Sequence, residues 1–247
     1  MYKNHRISLV MPCYNEERGL PEVYRDLDLK IVDEVIAVDN NSTDRTAEVA
    51  RQFGAKVIRE TKQGYGAAYK TGLRNATGDI IVTMDADGTY PRNFIPILLD
   101  VLIDEGFDFI TCDRTGHKDK PSNWLRVFGN DVLNFFIWIL FWFRVRDSQS
   151  GMWVFRRSVL AHLSLTSDGM AFSEEIKLEA MSKKKIIRAK ELPIYYKERH
   201  GVSKLRIWRD GFYNLFFLFR KRFGLLGQTT PLIEPVGNFP GEERRST

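Results

Sequence analysis

The chain has 247 residues, 43% hydrophobic and 28% charged, which is enough apolar material to bury a substantial core and too much for a disordered chain. Two cysteines, Cys13 and Cys112, exclude a disulfide-stapled scaffold and a thiolate zinc site, and fit a reducing compartment. The formal charge of +5 is concentrated: eight Lys/Arg between Lys197 and Arg222 face only Glu198 and Asp210, which points to an anionic partner such as phosphates, a membrane surface or nucleic acid.

The first residues run straight into an apolar pattern with no hydrophobic leader ahead of it. Ile7 to Met11 reads as a strand ended by Pro12, and Glu34 to Val38 as a second that stops at Asp39. Lys56 to Ile58 is a weaker third, Ile80 to Met84 a strong fourth that stops at Asp85, and Phe109 to Cys112 a fifth. Helical patterns lie between them at Glu17 to Asp28, Ser42 to Phe53, Gly66 to Asn75 and Arg92 to Glu105. Ser42 and Thr43 are natural N-cap residues, and Gly54 closes the second helix. This alternation predicts an α/β fold: a mostly parallel, Rossmann-like sheet with helices on both faces.

The second half changes character. Val132 to Phe143 is apolar nearly all round, but twelve helical residues span only roughly 18 Å against about 30 Å of hydrocarbon. A second aromatic stretch, Phe212 to Phe219, ends in Arg220-Lys221-Arg222. Residues 132–143 and 212–219 are therefore candidate amphipathic membrane-interface helices, with two plain core helices as the alternative. Residues 1–223 read as one domain and 224–247 as a mobile tail.

In a parallel α/β sheet, ligands sit beyond the carboxyl ends of the strands. Pro12-Cys13-Tyr14-Asn15-Glu16, Asp39-Asn40-Asn41-Ser42-Thr43-Asp44 and Asp85-Ala86-Asp87-Gly88 all fall there. Converging carboxylates are costly unless matched. Mg²⁺ or Mn²⁺ holding a diphosphate would match them, because hard oxygen ligands and substrate phosphates complete its shell. Gly64-Tyr65-Gly66-Ala67-Ala68-Tyr69-Lys70-Thr71 approximates two phosphate loops, but Tyr69 stands where each needs glycine. The glycines are instead expected to let a loop approach a nucleotide. Glu174 and Glu175 are either a general base or acidic residues favoured by a helix N-terminus, and the second reading is preferred. The four histidines show no metal-ligand spacing.

The segments Leu9–Glu16, Val38–Thr46, Gly64–Ala68 and Met84–Gly88 together resemble a glycosyltransferase of family 2 with the GT-A fold. Asp147-Ser148-Gln149-Ser150-Gly151 and Arg199-His200-Gly201-Val202-Ser203-Lys204-Leu205 resemble the dolichyl- and polyprenyl-phosphate hexose synthases within it. The resemblance implies that Pro12, Tyr14 and Glu16 line a nucleotide pocket, with Asp39 at the base or ribose. Asn41, Gly64, Asp85 and Ala86 join that donor-binding set. Asp85 and Asp87 would hold the metal, Asp87 most directly. Ser148 and Gly151 would shape the acceptor side with Arg126, while Arg199, Ser203 and Lys204 bind phosphates near the reacting centre. Asp87, Arg199 and Lys204 would then carry the catalysis.

The family often has Leu-Gln after its Asp-x-Asp; Gly88-Thr89 stands here, and a third protein ligand is unassigned. The implied reaction is inverting transfer of a hexose, from a UDP-glucose-type donor or GDP-mannose, to polyprenyl or dolichyl phosphate. It would take place at the cytoplasmic face of a membrane. Two rivals are a family 2 enzyme with a saccharide or protein acceptor and a nucleic-acid-binding module using residues 197–222. The second leaves Asp39, Asp85 and Asp87 unexplained and lacks an RNA-recognition motif, so no nucleic-acid partner is expected.

Overall fold

A computed structural model describes residues 1–115, 124–195, 207–227 and 229–234. Strand β1 (Ile7–Cys13) leads through α1 (Leu20–Arg25) to β2 (Glu34–Asp39), then through α2 (Thr46–Gln52) to β3 (Lys56–Arg59) and through α3 (Tyr65–Asn75) to β4 (Ile80–Thr83). A 3-10 turn at Arg92–Phe94 and α4 (Ile95–Asp104) precede β5 (Phe109–Asp113). Helix α5 (Trp124–Phe141), β6 (Trp153–Arg156), a 3-10 stretch at Arg157–His162, α6 (Phe172–Ser182), β7 (Ala189–Pro193) and α7 (Ile207–Arg222) follow.

The seven strands form one sheet in the order β3-β2-β1-β4-β6-β5-β7. Every pairing is parallel except those of β6, which runs antiparallel to both β4 and β5. Side chains alternate across it as a pleated strand requires. Leu9, Met11, Val35, Ala37 and Val82 enter a core with α1, α2 and α4; Val10, Ile36, Val38, Ile81 and Trp153 enter a second with α3 and α6. Helix α3 lies so close to the sheet that a Cβ at Gly72 would fall on Val10 Cγ1 and 3.0 Å from Val38 Cγ2. Gly72→Val is expected to destabilise by about 1–3 kcal/mol through overpacking. A urea midpoint that stays put would contradict this.

Several boundaries differ from expectation. Strand β1 continues through Pro12 to Cys13, because its pairing with β4 has already ended at Val10 and a missing N–H is tolerated on an unpaired side. Neither Ser42 nor Thr43 caps α2, which starts at Thr46 with Arg45 before it. Both are drawn away by side chains from the strand ends: Asp39 Oδ1 accepts the Ser42 N–H, and Asn15 Oδ1 accepts the Thr43 N–H. Gly54 does close α2, at φ +82°, a left-handed position that suits glycine.

Helix α5 has 18 residues, or roughly 27 Å, and ends where Trp142 turns left-handed at φ 63°. Among the described residues no helix is long and apolar enough to cross a membrane. Helices α5 and α7 share a third apolar cluster around Leu133, Ile137, Leu178 and Leu218. Part of the 224–247 tail is docked, with Leu232 and Ile233 packed against the second core.

Candidate active site

Because β1, β2, β4 and β5 point the same way, Cys13, Asp39, Thr83 and Asp113 end on one edge. The loops that leave this edge are joined in a ring. Asp39, 8% exposed, accepts the Ser42 N–H at 3.1 Å, and Ser42 Oγ accepts the Asn15 N–H at 3.0 Å. The Glu16 N–H donates to Thr46 Oγ1 at 2.7 Å. Three residues on, a Cβ at Gly19 would lie 2.6 Å from Ala86 O and 3.2 Å from Asp87 Cα, so the first loop sits directly on the Asp-x-Asp turn.

That turn is made by Gly88 at φ +77°. Asp87 Oδ1 accepts the Thr89 N–H and the Thr89 hydroxyl at 3.1 and 2.6 Å. Thr89 thus fixes Asp87 from behind rather than replacing a third ligand. Asp85 Oδ1 accepts the Tyr65 hydroxyl at 2.9 Å. Beside Tyr65, the Gly64 N–H donates to Asn40 Oδ1 at 2.7 Å, which returns to the residue after Asp39 and closes the ring.

The glycines of the third loop also meet a second segment of chain. A Cβ at Gly64 would fall on Asp168 O, and one at Gly66 on Ser167 O. The first amides of α3 are engaged by the same segment, Gly66 N–H to Gly169 O and Ala67 N–H to Asp168 O. Asp168 also bridges Lys62 and Lys70, each at 2.5 Å. Gly64 and Gly66 therefore admit the 167–169 backbone. Asn41 is also held, its amide donating to Thr61 O at 2.6 Å, while Tyr14 is exposed and Pro12 and Glu16 are half-buried.

The 147–151 loop is fastened by side chains from several elements. Asp147, fully buried, takes a two-pronged ion pair from Arg114 at 2.6 and 2.9 Å. Lys177 Nζ donates to Asp147 O at 2.6 Å, and Glu191 accepts the Arg146 and Asp147 N–H groups. Burial opposes the charge on Asp147, but Arg114 and then Lys177 outweigh it and hold the carboxyl down at about 2. Burial pushes Lys177 down to about 8 despite Asp147.

Ser148 donates its hydroxyl to Asn130 Oδ1 and its N–H to Asn134 Oδ1, both on α5; its donors tie the loop to that helix. Gln149 accepts from Asn214 on α7 and donates to Glu174 on α6. Gly151 lies against the donor side: a Cβ there would strike the Tyr65 hydroxyl and stand 3.1 Å from Asp85 Oδ1.

Glu174 and Glu175 stand in the first turn of α6, as preferred. Burial drives Glu174 towards its neutral form. Glu175 is a clamp, accepting the Thr166 and Ser167 N–H groups and the Lys221 ammonium. Lys221 also pairs with Glu179 at 2.8 Å, so this part of the basic segment faces inward. Arg199, Ser203 and Lys204 lie outside the described residues, as does the side chain of Arg126. Sequence reasoning missed Gly19, Tyr65, Thr89 and Arg114. Only Arg114 carried a signal, as a cation directly after a strand that ends on this edge.

Asp85 and Asp87 offer hard oxygen donors, and among the described residues no cluster of three His, Cys, Asp or Glu side chains could hold a metal. A two-carboxylate donor set fits Mg²⁺ or Mn²⁺, which keep waters and share substrate phosphates.

Residues 8–164 match Glycosyl transferase family 2. A dolichyl-phosphate hexose transferase of Haloferax volcanii is 36% identical over 208 residues, covering 83% of this chain and 89% of that one. A dolichol-phosphate mannosyltransferase of Pyrococcus furiosus is 30% identical over 214 residues, covering 81% of this chain and 59% of that one. Among solved structures, the Mycobacterium tuberculosis glucosyl-3-phosphoglycerate synthase, crystallised with Mn²⁺, UDP and phosphoglyceric acid, superposes with a TM-score of 0.73. It is 20% identical and covers 94% of this chain and 90% of its own. The structural likeness shows the GT-A fold, and the sequence matches show the family: the chain belongs to glycosyl transferase family 2.

Proposed function

We propose that this glycosyltransferase moves a hexose from a nucleotide sugar to a polyprenyl or dolichyl phosphate, with inversion, at a membrane surface. The observation that carries the reading is the closed ring of contacts from Asp39 through Asn15, Gly19 and the Asp85–Asp87 turn to Tyr65, Gly64 and Asn40. It gathers carboxylates from two strands around one edge, the place where this class of sheet binds ligands. The names of the two lipid-phosphate relatives support the acceptor, and the UDP and Mn²⁺ of the solved neighbour support the donor and cation.

Asp85 and Asp87 would hold the cation. A bound Mg²⁺ or Mn²⁺ supplies charge neutralisation on the donor diphosphate. In the reaction a lipid-phosphate oxygen bonds to the anomeric carbon as the bond from that carbon to the diphosphate oxygen breaks. The diphosphate leaves with the electron pair. A phosphate's second pKa is about 6, so the nucleophile is already anionic and needs no general base. Glu175 agrees, since it is already engaged by Thr166, Ser167 and Lys221. What the protein must supply is positioning and positive charge. The 199–204 motif is the proposed source of that charge.

Helix α5 with the following Trp142, and helix α7, present Phe135, Trp138 and Trp142, and Trp208, Phe212 and Phe216, to solvent. Arg144 stacks on Trp138 at 5.3 Å, and Arg220 on Phe216 at 5.9 Å. Aromatic faces edged by arginines suit a bilayer interface. Replacing Phe212 and Phe216 by Ser is expected to cut binding to vesicles of mixed zwitterionic and anionic lipid by about tenfold or more. Fully burying one such side chain is worth about 1.5–3 kcal/mol. Co-sedimentation that is unchanged in the variant would remove α7 from the membrane account.

The decisive assay is incubation with labelled UDP- or GDP-hexose and polyprenyl phosphate. Label passing into the organic phase with release of nucleoside diphosphate supports the reading; label passing only to a soluble acceptor overturns it.

A further inference from the structure

We infer that Tyr65 is a positioning residue for the reaction: its phenol O–H holds the Asp85 carboxylate in the orientation that receives the donor's cation. The inference rests on the two-carboxylate reading above and adds a residue that the Asp-x-Asp pattern does not contain.

Three independent features fix this phenol. Tyr65 opens α3 between Gly64 and Gly66, whose missing side chains admit the 167–169 backbone and pin the start of the helix. Its ring meets Tyr69 edge-on, with centroids 4.8 Å apart at 79°, and Tyr69 is stacked on Phe172 at 5.6 Å and leans on Trp153 at 5.1 Å. The ring therefore has little freedom. Its oxygen then stands 2.9 Å from Asp85 Oδ1, across 20 residues of sequence.

Gly151 seals the far side. A Cβ there would strike the Tyr65 oxygen and lie 3.1 Å from Asp85 Oδ1. Phenol, carboxylate and glycine thus share one close-packed contact where the 147–151 loop meets the Asp-x-Asp turn. The phenol O–H donates and the carboxylate oxygen accepts. With Oδ1 engaged, the carboxylate cannot swivel, and it meets an ion in a fixed orientation. Outer donors of this kind orient metal-binding carboxylates, and their removal costs about 10–100-fold in metal affinity or activity. The competing explanation is that a partly buried tyrosine needs an acceptor and Asp85 happens to supply one. That explanation expects a loss of stability without a change in cation affinity.

The test is Mn²⁺ binding to the full chain at saturating UDP or GDP, read from the electron paramagnetic resonance signal of free Mn²⁺. In Tyr65→Phe the Mn²⁺ dissociation constant is expected to rise about tenfold or more, with nucleotide affinity in EDTA within about twofold of wild type. High Mn²⁺ should restore most of kcat, so the defect lies in the apparent KM for the metal. Gly151→Ala keeps the phenol but pushes it off Asp85, and should show the same Mn²⁺ defect. It carries the test if Tyr65→Phe fails to fold. Unchanged Mn²⁺ affinity in the folded variants, beside a wild type that binds Mn²⁺, overturns the role of Tyr65 alone. A wild type that binds nucleotide but no Mn²⁺ overturns both this inference and the cation reading beneath it.

Discussion

Asp87→Asn is expected to lower hexose transfer by about 10²–10³-fold or more, the scale seen when one preorganised charge-stabilising group is removed, while leaving the fold in place. The substitution separates charge from shape. The new carboxamide keeps an oxygen that can accept the Thr89 N–H and hydroxyl, now made to Asp87 Oδ1 at 3.1 and 2.6 Å, and the Gly19 contact involves Asp87 Cα and Ala86 O, which do not change. Only the anionic donor to the cation is lost. Initial rates with labelled nucleotide sugar and lipid phosphate, alongside thermal melts, check both halves. Transfer at near wild-type rate in a folded Asp87→Asn would remove the metal role from this residue.

The second large effect is on stability. Asp147→Ala is expected to destabilise by about 3–5 kcal/mol, because breaking a buried ion pair leaves uncompensated charge behind. Arg114 would lose both prongs, and the Arg114 and Gln149 N–H groups would lose their acceptors. The pH dependence follows from the same group. Its carboxyl sits at about 2 in the fold, against about 3.9 in an unfolded chain. Its pKa is depressed by folding, so the stability it contributes is fully present above about pH 4 and is lost as the pH falls through about 2. That contribution is about 2–3 kcal/mol, and the acid limb of the stability curve should be shallower in Asp147→Ala. Urea denaturation from pH 7 down to pH 2 measures both. A variant as stable as wild type at pH 7 would show that the loop is held by Lys177 and Glu191 alone.

Where sequence and structure agree, the reason is that one physical signal dominates. The runs 7–11, 34–38 and 80–84 are apolar, short and followed at once by Pro12, Asp39 and Asp85, so β1, β2 and β4 and the acidic residues at their ends are legible, even though β1 and β2 run on through Pro12 and Asp39. Where the two part, signals cancel. Helix α6 hides because Glu174, Glu175, Lys177 and Glu179 are buried in it, and a pattern that counts charge as surface sees no apolar stripe. Strand β7, Ala-Lys-Glu-Leu-Pro at the sheet's edge, is half-exposed and lacks alternation. The extra turns of α5 begin at Trp124 and contain Gly129-Asn130-Asp131, which interrupts the apolar run; Asn130, with Asn134, holds Ser148.

The site divides the same way. Asp39, Asp85 and Asp87 were visible because each follows a strand. Tyr65 and Gly19 were not, because each acts on a turn distant in sequence and only the fold brings them together; Gly151 was visible in the 147–151 motif, but its contact with Tyr65 and Asp85 was not. Gly64 and Gly66 were noticed as a loop that could approach a nucleotide, and their packing against 167–169 was not foreseen. The space beside them is filled by chain.

Binding of UDP and GDP, with and without Mn²⁺, to wild type, Asp39→Asn and Asp87→Asn tests most directly whether the two acidic strand ends serve one diphosphate and its cation. The preferred nucleotide is expected to bind wild type about tenfold or more tightly with Mn²⁺, a coupling of ordinary size. Asp87→Asn should lose that enhancement while keeping its metal-free affinity, and Asp39→Asn should weaken binding under both conditions. Affinity that ignores Mn²⁺ in wild type and is the same in all three proteins would contradict the account.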